Sequence, residues 1–458
     1  MEKVAWGLIC ILVVTGTIQA QNISNSTRIQ PDSLRLRTDS ISNQKDIVDV
    51  FYNLTHHEPK LEIYESDKDR IHFTLVPAVG YTLQTGFAVL LAANTVFYTD
   101  KNDHSRTSTV LASIAYTQYK QIIVPVSVNI WSKNKKYNYI SDIRYMDYPS
   151  QTFGLGSETK VTDGYGIDFS YLKLHQSVLR KIKSHFFGGI GYYYDYFWNT
   201  KEVNPPPGGT SFQEYGLSDK EFASGISFQG LIDKRDNPIN PIKGLYSSFR
   251  YRMNDKWMGN SVSWHSGILE LRKYIQFPRN SKNVIALWNY NWVTIFGKPP
   301  YLLLPSTGWD DFFNTGRGYI QGRYRDLNMS YMEAEYRFNF MSNGLLGGVL
   351  FANLQTFSNK ITGLYQVAVP GYGAGLRIKM NKNSKTNLCI DYAFGDERSR
   401  GFFINLGEVF LEISVMWNIS LVSWLSTKAN GKTSRYKIIS MSLLHAYPTG
   451  YVELQMVC

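Results

Sequence analysis

Residues 331–340 read Tyr-Met-Glu-Ala-Glu-Tyr-Arg-Phe-Asn-Phe, and this stretch decides the fold class of the chain. Successive side chains of a β-strand point to opposite faces, so its odd-numbered and even-numbered residues form two separate faces. The odd-numbered face carries Glu333, Glu335 and Arg337, whereas the even-numbered face consists of Met, Ala, Tyr, Phe and Phe. The stretch therefore predicts a strand with one charged face and one apolar face.

The same alternation recurs along the chain from 70 to 410, and turn-forming residues interrupt it roughly every 10 to 15 positions. Each strand and its connection take roughly 21 residues, which suits the short spans and loops of an outer-membrane barrel. An even number of strands closes an antiparallel barrel without a free sheet edge. We predict sixteen strands, near 70–79, 85–98, 107–118, 121–132, 135–147, 163–174, 183–198, 220–233, 244–254, 260–275, 282–296, 327–340, 345–357, 369–380, 384–395 and 400–410.

The apolar faces could in principle pack together in a soluble β-sandwich, so their direction needs separate evidence. Several apolar faces end in aromatic residues, as at a membrane interface, and the opposite faces carry successive charges, as a wet lumen tolerates. The N-terminus also has the pattern of an exported protein. We therefore predict an all-β chain that forms a transmembrane antiparallel β-barrel in a bacterial outer membrane, with membrane lipid as its partner. A soluble all-β protein is the alternative.

The composition excludes several other classes. The 458 residues contain no run of 18 apolar residues, so membrane-spanning helices are not predicted. Three cysteines without a Cys-x-x-Cys pair predict neither a disulfide framework nor a metal site, and no cofactor motif is present. The net charge of +11 comes from scattered Lys and Arg, which does not indicate a nucleic-acid partner. Neither Gly-x-Ser-x-Gly nor His-Glu-x-x-His occurs, so the chain is not expected to be an enzyme.

The two ends of the chain differ from the alternating middle. Residues 1–20 combine Lys3, a short apolar core and small residues, which predicts a secretory signal peptide. Residues 21–69 are polar and lack a sustained period, so they indicate a tether or a partial plug. The predicted barrel occupies 70–410. Residues 411–458 form an extension of uncertain origin without alternation, and we expect a chain that ends at Phe410 to form the barrel without it.

Three segments resemble the BamA/TamA-like outer-membrane family, also called the bacterial surface antigen family. Residues 233–244 are similar to its D-x-R-D-N-P-x-x-P-x-x-G hairpin. Residues 315–319 read Thr-Gly-Arg-Gly-Tyr and look like its R-G-[FY] loop signature. Residues 373–377, 391–395 and 401–410 are similar to its last strands.

The resemblance implies a role for particular residues. Arg317, Gly318 and Tyr319 would belong to a loop, about 297–326, that folds back into the barrel, and the arginine would pair with acids of the inner wall. The acids on suitable strand faces are Glu333, Glu335 and Asp391. The final strand of the family ends in an aromatic residue that the assembly machinery reads. The corresponding lipid-facing residues here would be Phe402 and Phe410.

The chain also departs from the family. The interval 21–69 is too short for the periplasmic polypeptide-transport-associated (POTRA) domains that many members carry. Phe351-Ala352-Asn353 stands where relatives place Phe-x-Asp, so an inward acid is predicted to be lost. The resemblance implies that the barrel inserts or translocates other outer-membrane or secreted polypeptides. A passive or gated pore for small solutes and a surface antigen or adhesin are the alternatives.

Overall fold

The structure is a computed structural model that describes residues 44–47, 49–50, 72–99, 108–216, 218–359, 362–382 and 385–410. The predicted signal peptide, most of the predicted tether and the extension 411–458 lie outside these residues. The described strands are β1 (His72–Thr82), β2 (Gly86–Phe97), β3 (Ser108–Thr117), β4 (Ile122–Trp131), β5 (Tyr137–Asp147), β6 (Ser150–Thr152), β7 (Tyr165–Lys183), β8 (Phe186–Val203), β9 (Glu221–Asp233), β10 (Gly244–Asn254), β11 (Trp264–Gln276), β12 (Val284–Gly297), β13 (Asn328–Asn339), β14 (Leu346–Phe357), β15 (Val369–Asn381), β16 (Thr386–Phe394) and β17 (Arg400–Leu406). One short α-helix, α1 (Ser211–Gly216), lies between β8 and β9.

All seventeen strands belong to one antiparallel sheet. Strand β6 has only three residues and pairs with the beginning of β7, while β5 pairs with a later part of the same strand. Strands β5 and β6 therefore act as one interrupted strand, and the barrel has sixteen strands. The sixteen-strand prediction is confirmed, and the first and last strands lie side by side as a barrel requires.

Hydrogen bonding around the barrel is continuous except at one place. Each described strand forms a ladder with its neighbour in sequence order from β1 to β17, with β6 as the short addition. Between β1 and β17, the part of the chain that the structure describes contains no ladder. Leu83, directly after β1, nevertheless contacts Gly401 of β17. We call this junction the seam.

The strand that decides the fold class has its charged face inside. In β13 the side chains of Glu333, Glu335 and Arg337 are buried, whereas Met332 and Ala334 are exposed. This is the reverse of a soluble core, and it identifies the outer surface as the lipid-facing surface of a membrane barrel. No helix among the described residues is long and apolar enough to cross a membrane. Other large apolar residues exposed on the barrel are Phe87, Val89, Leu91, Ile190, Phe228, Phe249 and Leu350.

The structure differs from the strand prediction in detail. Strict alternation along β15 would place Met380 on the outer face, but a register shift between Lys379 and Asn381 breaks the alternation, and Met380 is buried. Strand β7 extends to Lys183, beyond the predicted end at 174. The last strand was placed at 400–410, but β17 ends at Leu406. The chain then turns at Gly407, whose φ of 92° lies in the left-handed region.

The two ends of the barrel have different connections. The loop rim carries the connections 148–164, 204–220, 298–327 and 358–368, and the turn rim carries the shorter connections 184–185, 234–243, 277–283 and 340–345. The described piece of the predicted tether lies on the turn rim. Its Lys45 N–H donates to Asn343 O at 3.1 Å, and Asp49 forms an ion pair with Lys382 at 2.7 Å.

The main packed core lies inside the barrel rather than between sheets. Buried aromatic residues from the inner face of the strands pack there against residues of the connection 298–327. This interior packing places a long loop where a porin would have an open channel. One interior cluster contains Tyr274, Trp288, Tyr290, Tyr319, Tyr324, Tyr331, Phe357 and Phe410.

Candidate functional site in the barrel lumen

The connection 298–327, which we call the lumen loop, enters the barrel. Most of its residues from Tyr301 to Asp326 are buried, including the short apolar turn Tyr301–Leu303. Backbone hydrogen bonds hold its two arms together, because Thr307 N–H donates to Tyr324 O and Gly322 N–H donates to Thr307 O, both at 2.9 Å. A buried loop has to satisfy its own polar groups in this way.

Arg317 lies at the centre of the predicted acidic group. Its Nη1 donates to Asp391 Oδ2 at 2.8 Å, and its Nη2 forms ion pairs with both Glu333 and Glu335. The guanidinium also stacks on the ring of Phe351, 3.6 Å from its centroid. The structure thus brings the arginine and all three predicted acids together. We call Glu333, Glu335 and Asp391 the acidic wall.

Two further arginines extend this network towards the turn rim. Arg377 contacts Asp391 at 2.5 Å and Glu408 at 2.9 Å. Arg337 Nε donates to Glu335 Oε2 at 2.6 Å and lies 3.6 Å from Glu408. Three guanidinium groups therefore face four carboxylates, which leaves one negative charge in the network. Each acid except Glu333 contacts more than one of these arginines.

The backbone around Arg317 is as closely fitted as its side chain. Gly318 has φ of 106°, and a Cβ at this position would lie 2.6 Å from Phe394 O. Tyr319 O–H donates to Pro370 O and accepts a hydrogen bond from Asp396 N–H at 2.8 Å. The Arg-Gly-Tyr sequence therefore supplies an ion-pairing group, a close backbone approach and an anchor, in that order.

Gly318→Ala should destabilise the barrel more than an ordinary glycine substitution. Ala at a left-handed position costs about 1 to 2 kcal/mol from backbone strain alone. At Gly363, whose φ is 67° and whose built Cβ has no neighbour within 4 Å, that strain is the expected total. At Gly318 the clash with Phe394 O adds to it. Chemical unfolding of the two variants in detergent should rank Gly318→Ala as clearly the less stable, and equal values would contradict the close approach.

Asn353 has a role that the sequence did not predict. It cannot form an ion pair, but its Nδ2 donates to the carbonyl oxygen of Arg317 at 2.9 Å. An aspartate could not donate this hydrogen bond. Asn353 therefore holds the loop backbone, while the guanidinium of Arg317 pairs with the acidic wall.

The tip of the lumen loop reaches the opposite side of the barrel. Asp311 forms ion pairs with Arg250 and with Lys173, the latter at 3.3 Å, and its carbonyl oxygen accepts a hydrogen bond from Arg144. We call Arg144, Lys173 and Arg250 the basic wall. Burial alone would raise the pKa of Asp311, but these cations outweigh it and hold that pKa well below its usual range. The loop thus places a cation on the acidic wall and an anion on the basic wall.

Asp310 shapes the loop tip. Its Oδ1 accepts hydrogen bonds from the backbone N–H groups of Asn314 and Thr315 at 3.0 and 2.8 Å, and its Oδ2 accepts one from Phe312. Burial raises the pKa of Asp310, and these donors oppose the shift. The tight turn leaves Phe313 with φ of 58°, a sparsely populated conformation for a residue with a side chain. Arg144 covers the Phe313 ring at 4.9 Å.

The two phenylalanines predicted on the lipid face of the last strand lie on different faces, so the prediction is wrong for Phe410. Phe402 lies on the outer face, half exposed, with its ring 4.7 Å from that of Tyr392. Phe410 was expected on the same lipid face, but it is buried inside the barrel, 5.1 Å from the ring of Trp288. Its carbonyl oxygen accepts a hydrogen bond from Arg272 Nη1 at 2.7 Å. We call Glu408–Phe410 the return segment.

The sequence patterns did not identify the residues that extend the acidic wall or those that form the basic wall. Arg377 was noted only as part of a strand motif, and Glu408 only as part of the final one. Arg144, Lys173 and Arg250 stand singly on inward positions of β5, β7 and β10, so no local spacing marks them as a group. Closure of the barrel brings them together.

Two solved structures illustrate what this chain is similar to. BamA from Haemophilus ducreyi lacking POTRA domains 1–3 has 15% identity and a TM-score of 0.50, with 74% of this chain and 69% of that chain covered. CdiB from Acinetobacter baumannii has 12% identity and a TM-score of 0.48, with 74% of this chain and 60% of that chain covered. No protein-family model matches the sequence, and no curated protein does. The chain therefore has a BamA-like barrel fold.

Proposed function

We propose that this chain resides in a bacterial outer membrane and assists the insertion or translocation of other polypeptides there. The apolar outer surface supports a place in a membrane, and the predicted leader would deliver the chain outside the cytoplasm. The motif resemblance supports the assembly role. In this proposal the chain performs no catalysis, and membrane lipid and polypeptides are its partners.

The seam is the observation that carries this proposal. Backbone N–H and C=O groups at the edges of β1 and β17 are not joined by a described ladder, and unpaired backbone groups are costly in hydrocarbon. An extended segment of another chain could satisfy them by adding a strand. The seam is therefore the position at which this barrel would receive a polypeptide.

The filled lumen bears on the two alternatives. A passive pore for small solutes needs an open path, whereas the lumen loop occupies the interior and contacts both walls. A surface antigen or adhesin needs binding loops at the loop rim. The longest connection of that rim, 298–327, is instead largely buried in the barrel. Neither alternative therefore accounts for the ion pairs of the loop.

A reversible disulfide across the seam tests the proposal. In a variant with the native cysteines replaced by alanine, Leu83→Cys and Gly401→Cys would join the residues that flank the seam. The oxidised protein, reconstituted in liposomes, should lose most of its ability to insert a second barrel protein, and reduction should restore it. The readout is the protease-protected fraction of the inserted protein.

A second disulfide provides the matched control. Val110 and Val128 are direct partners in the ladder between β3 and β4, so a cysteine pair there would join strands that are already hydrogen-bonded. Oxidation of this pair should leave insertion unchanged. The contrary outcome is that the seam disulfide forms and the oxidised protein inserts the second barrel protein as fast as the reduced protein does. In that case the seam does not receive polypeptides, and the proposed function is wrong.

A further inference from the structure

We propose that the basic wall is a binding site for a small aromatic oxyanion, a carboxylate or a phosphate ester, and that Asp311 occupies its anion position. Such a site lies inside the barrel and is separate from the seam. Its ligand would be a small molecule rather than a polypeptide. It is therefore a second activity, beyond the proposed function.

The contacts of Asp311 are those that a bound oxyanion would make. One carboxylate oxygen pairs with Arg250 Nη2 and the other lies 3.3 Å from Lys173 Nζ. Arg144 donates to the backbone carbonyl oxygen of Asp311. Two oxygens of one anionic group thus meet cations from two different strands, which is a common arrangement for carboxylate and phosphate groups.

The charge balance of the wall leaves room for an anion. Asp142 is the wall's own acid, and it pairs with Arg144 and with Lys173, both at 2.8 Å. Asp310 also borders this position, whereas Arg252 and Asp195 pair with each other. Without Asp311, three cations therefore face the carboxylates of Asp142 and Asp310, which leaves an excess of one positive charge. The carboxylate of Asp311 neutralises this charge.

A cavity adjoins this position, and an unused donor belongs to its lining. The basic wall and Asp311 border the cavity, together with Arg252. Arg252 is at least nine-tenths buried and pairs with Asp195 at 2.6 Å, but its Nε has no hydrogen-bond partner among the described residues. A buried guanidinium N–H without an acceptor is costly, and a ligand acceptor would satisfy it.

The rest of the lining sets the expected shape of the ligand. Aromatic side chains from the barrel strands and from the lumen loop line the cavity, and such rings bind flat apolar groups. An aromatic acid or aryl phosphate would combine both features, with its charge at the basic wall. The aromatic lining residues are Tyr171, Tyr193, Trp264, Tyr290, Trp292, Trp309 and Phe313.

Asp311→Asn is the informative variant, because the inference predicts that it gains an activity. The neutral amide no longer competes for the cations, so benzoate or phenyl phosphate should bind about tenfold more tightly than to the unchanged protein, or tighter still. Isothermal titration of the folded barrel in detergent measures this difference. The two probes distinguish a carboxylate ligand from a phosphate ester.

Three controls accompany the titration. Asp219→Asn removes an exposed acid of the loop rim and should leave the affinity for both probes unchanged. Arg250→Gln added to Asp311→Asn should abolish the gain. Heat-modifiable migration on a gel verifies that each variant is folded, and Asp311→Ser replaces Asp311→Asn if the latter is not.

The outcomes separate clearly. Tighter binding in Asp311→Asn that depends on Arg250 supports the site, and the preferred probe identifies its chemistry. Absence of saturable binding by both probes to the folded Asp311 variants would overturn it. Equal gains in Asp219→Asn, or binding that survives Arg250→Gln, would show only a general charge effect and would overturn it as well.

Discussion

Arg317→Ala should lower the free energy of unfolding of the barrel by about 3 to 5 kcal/mol, the range for breaking a buried ion pair from one side. The variant removes three ion pairs at once. Glu335 and Asp391 keep Arg337 and Arg377 as partners, whereas the only ion pair described for Glu333 is lost. The buried charge of Glu333 is therefore the main source of the cost. Urea unfolding in detergent, followed by tryptophan fluorescence, measures it.

Two comparisons test this explanation. Adding Glu333→Gln to Arg317→Ala removes the uncompensated charge and should recover part of the lost stability. Arg180→Ala, at an exposed position of β7, should change stability by no more than about 0.5 kcal/mol. If the double variant is less stable than Arg317→Ala alone, the penalty does not arise from Glu333 and the account of the acidic wall is wrong.

Phe410→Ala should cost about 3 to 5 kcal/mol, as expected for a phenylalanine removed from a packed interior. The ring packs near Trp288, and the guanidinium of Arg337 covers it at 5.2 Å. Its replacement leaves a cavity inside the barrel. Equilibrium unfolding under the same conditions as for Arg317 gives the value.

Phe402→Ala is the matched control, because the sequence predicted both phenylalanines on one lipid face. Phe402 contacts Tyr392 on the outer surface, so its loss should cost only about 1 kcal/mol. A chain that ends at Phe410 should still form the barrel, since the return segment remains. Equal costs for the two substitutions would place Phe410 in lipid and restore the longer last strand.

The sequence contained a signal for this correction. Continuing the alternation of β17 through Phe402 and Ile404 assigns Glu408 to the apolar face, where a charge is costly in lipid. Gly407 immediately precedes it and allows the chain to turn. A strict count of faces therefore predicts that the strand stops before Glu408. It does not predict where Glu408 goes, because its partners Arg377 and Arg337 lie on other strands.

Sequence patterns predicted local features much better than the assembled interior. A period of two in one strand is a local property, so the faces of β13 and β16 follow directly from the sequence. Arg317 and its acids were found because a motif resemblance joined them. The basic wall has no such marker, since Arg144 and Arg250 are over a hundred positions apart and meet only after the barrel closes. The pattern of a single strand cannot predict contacts between side chains that meet only when the barrel closes.

The lumen loop and the return segment enter the barrel from opposite rims, and they meet. Asn314 Nδ2 donates to Val409 O at 2.7 Å. Arg377 pairs both with Asp391, which also contacts Arg317, and with Glu408. Because the two elements hold each other through these contacts, withdrawal of either one lowers the free energy needed to withdraw the other. Such coupling is reciprocal by thermodynamic necessity. Withdrawal of the lumen loop at the loop rim would thereby ease withdrawal of the return segment at the turn rim.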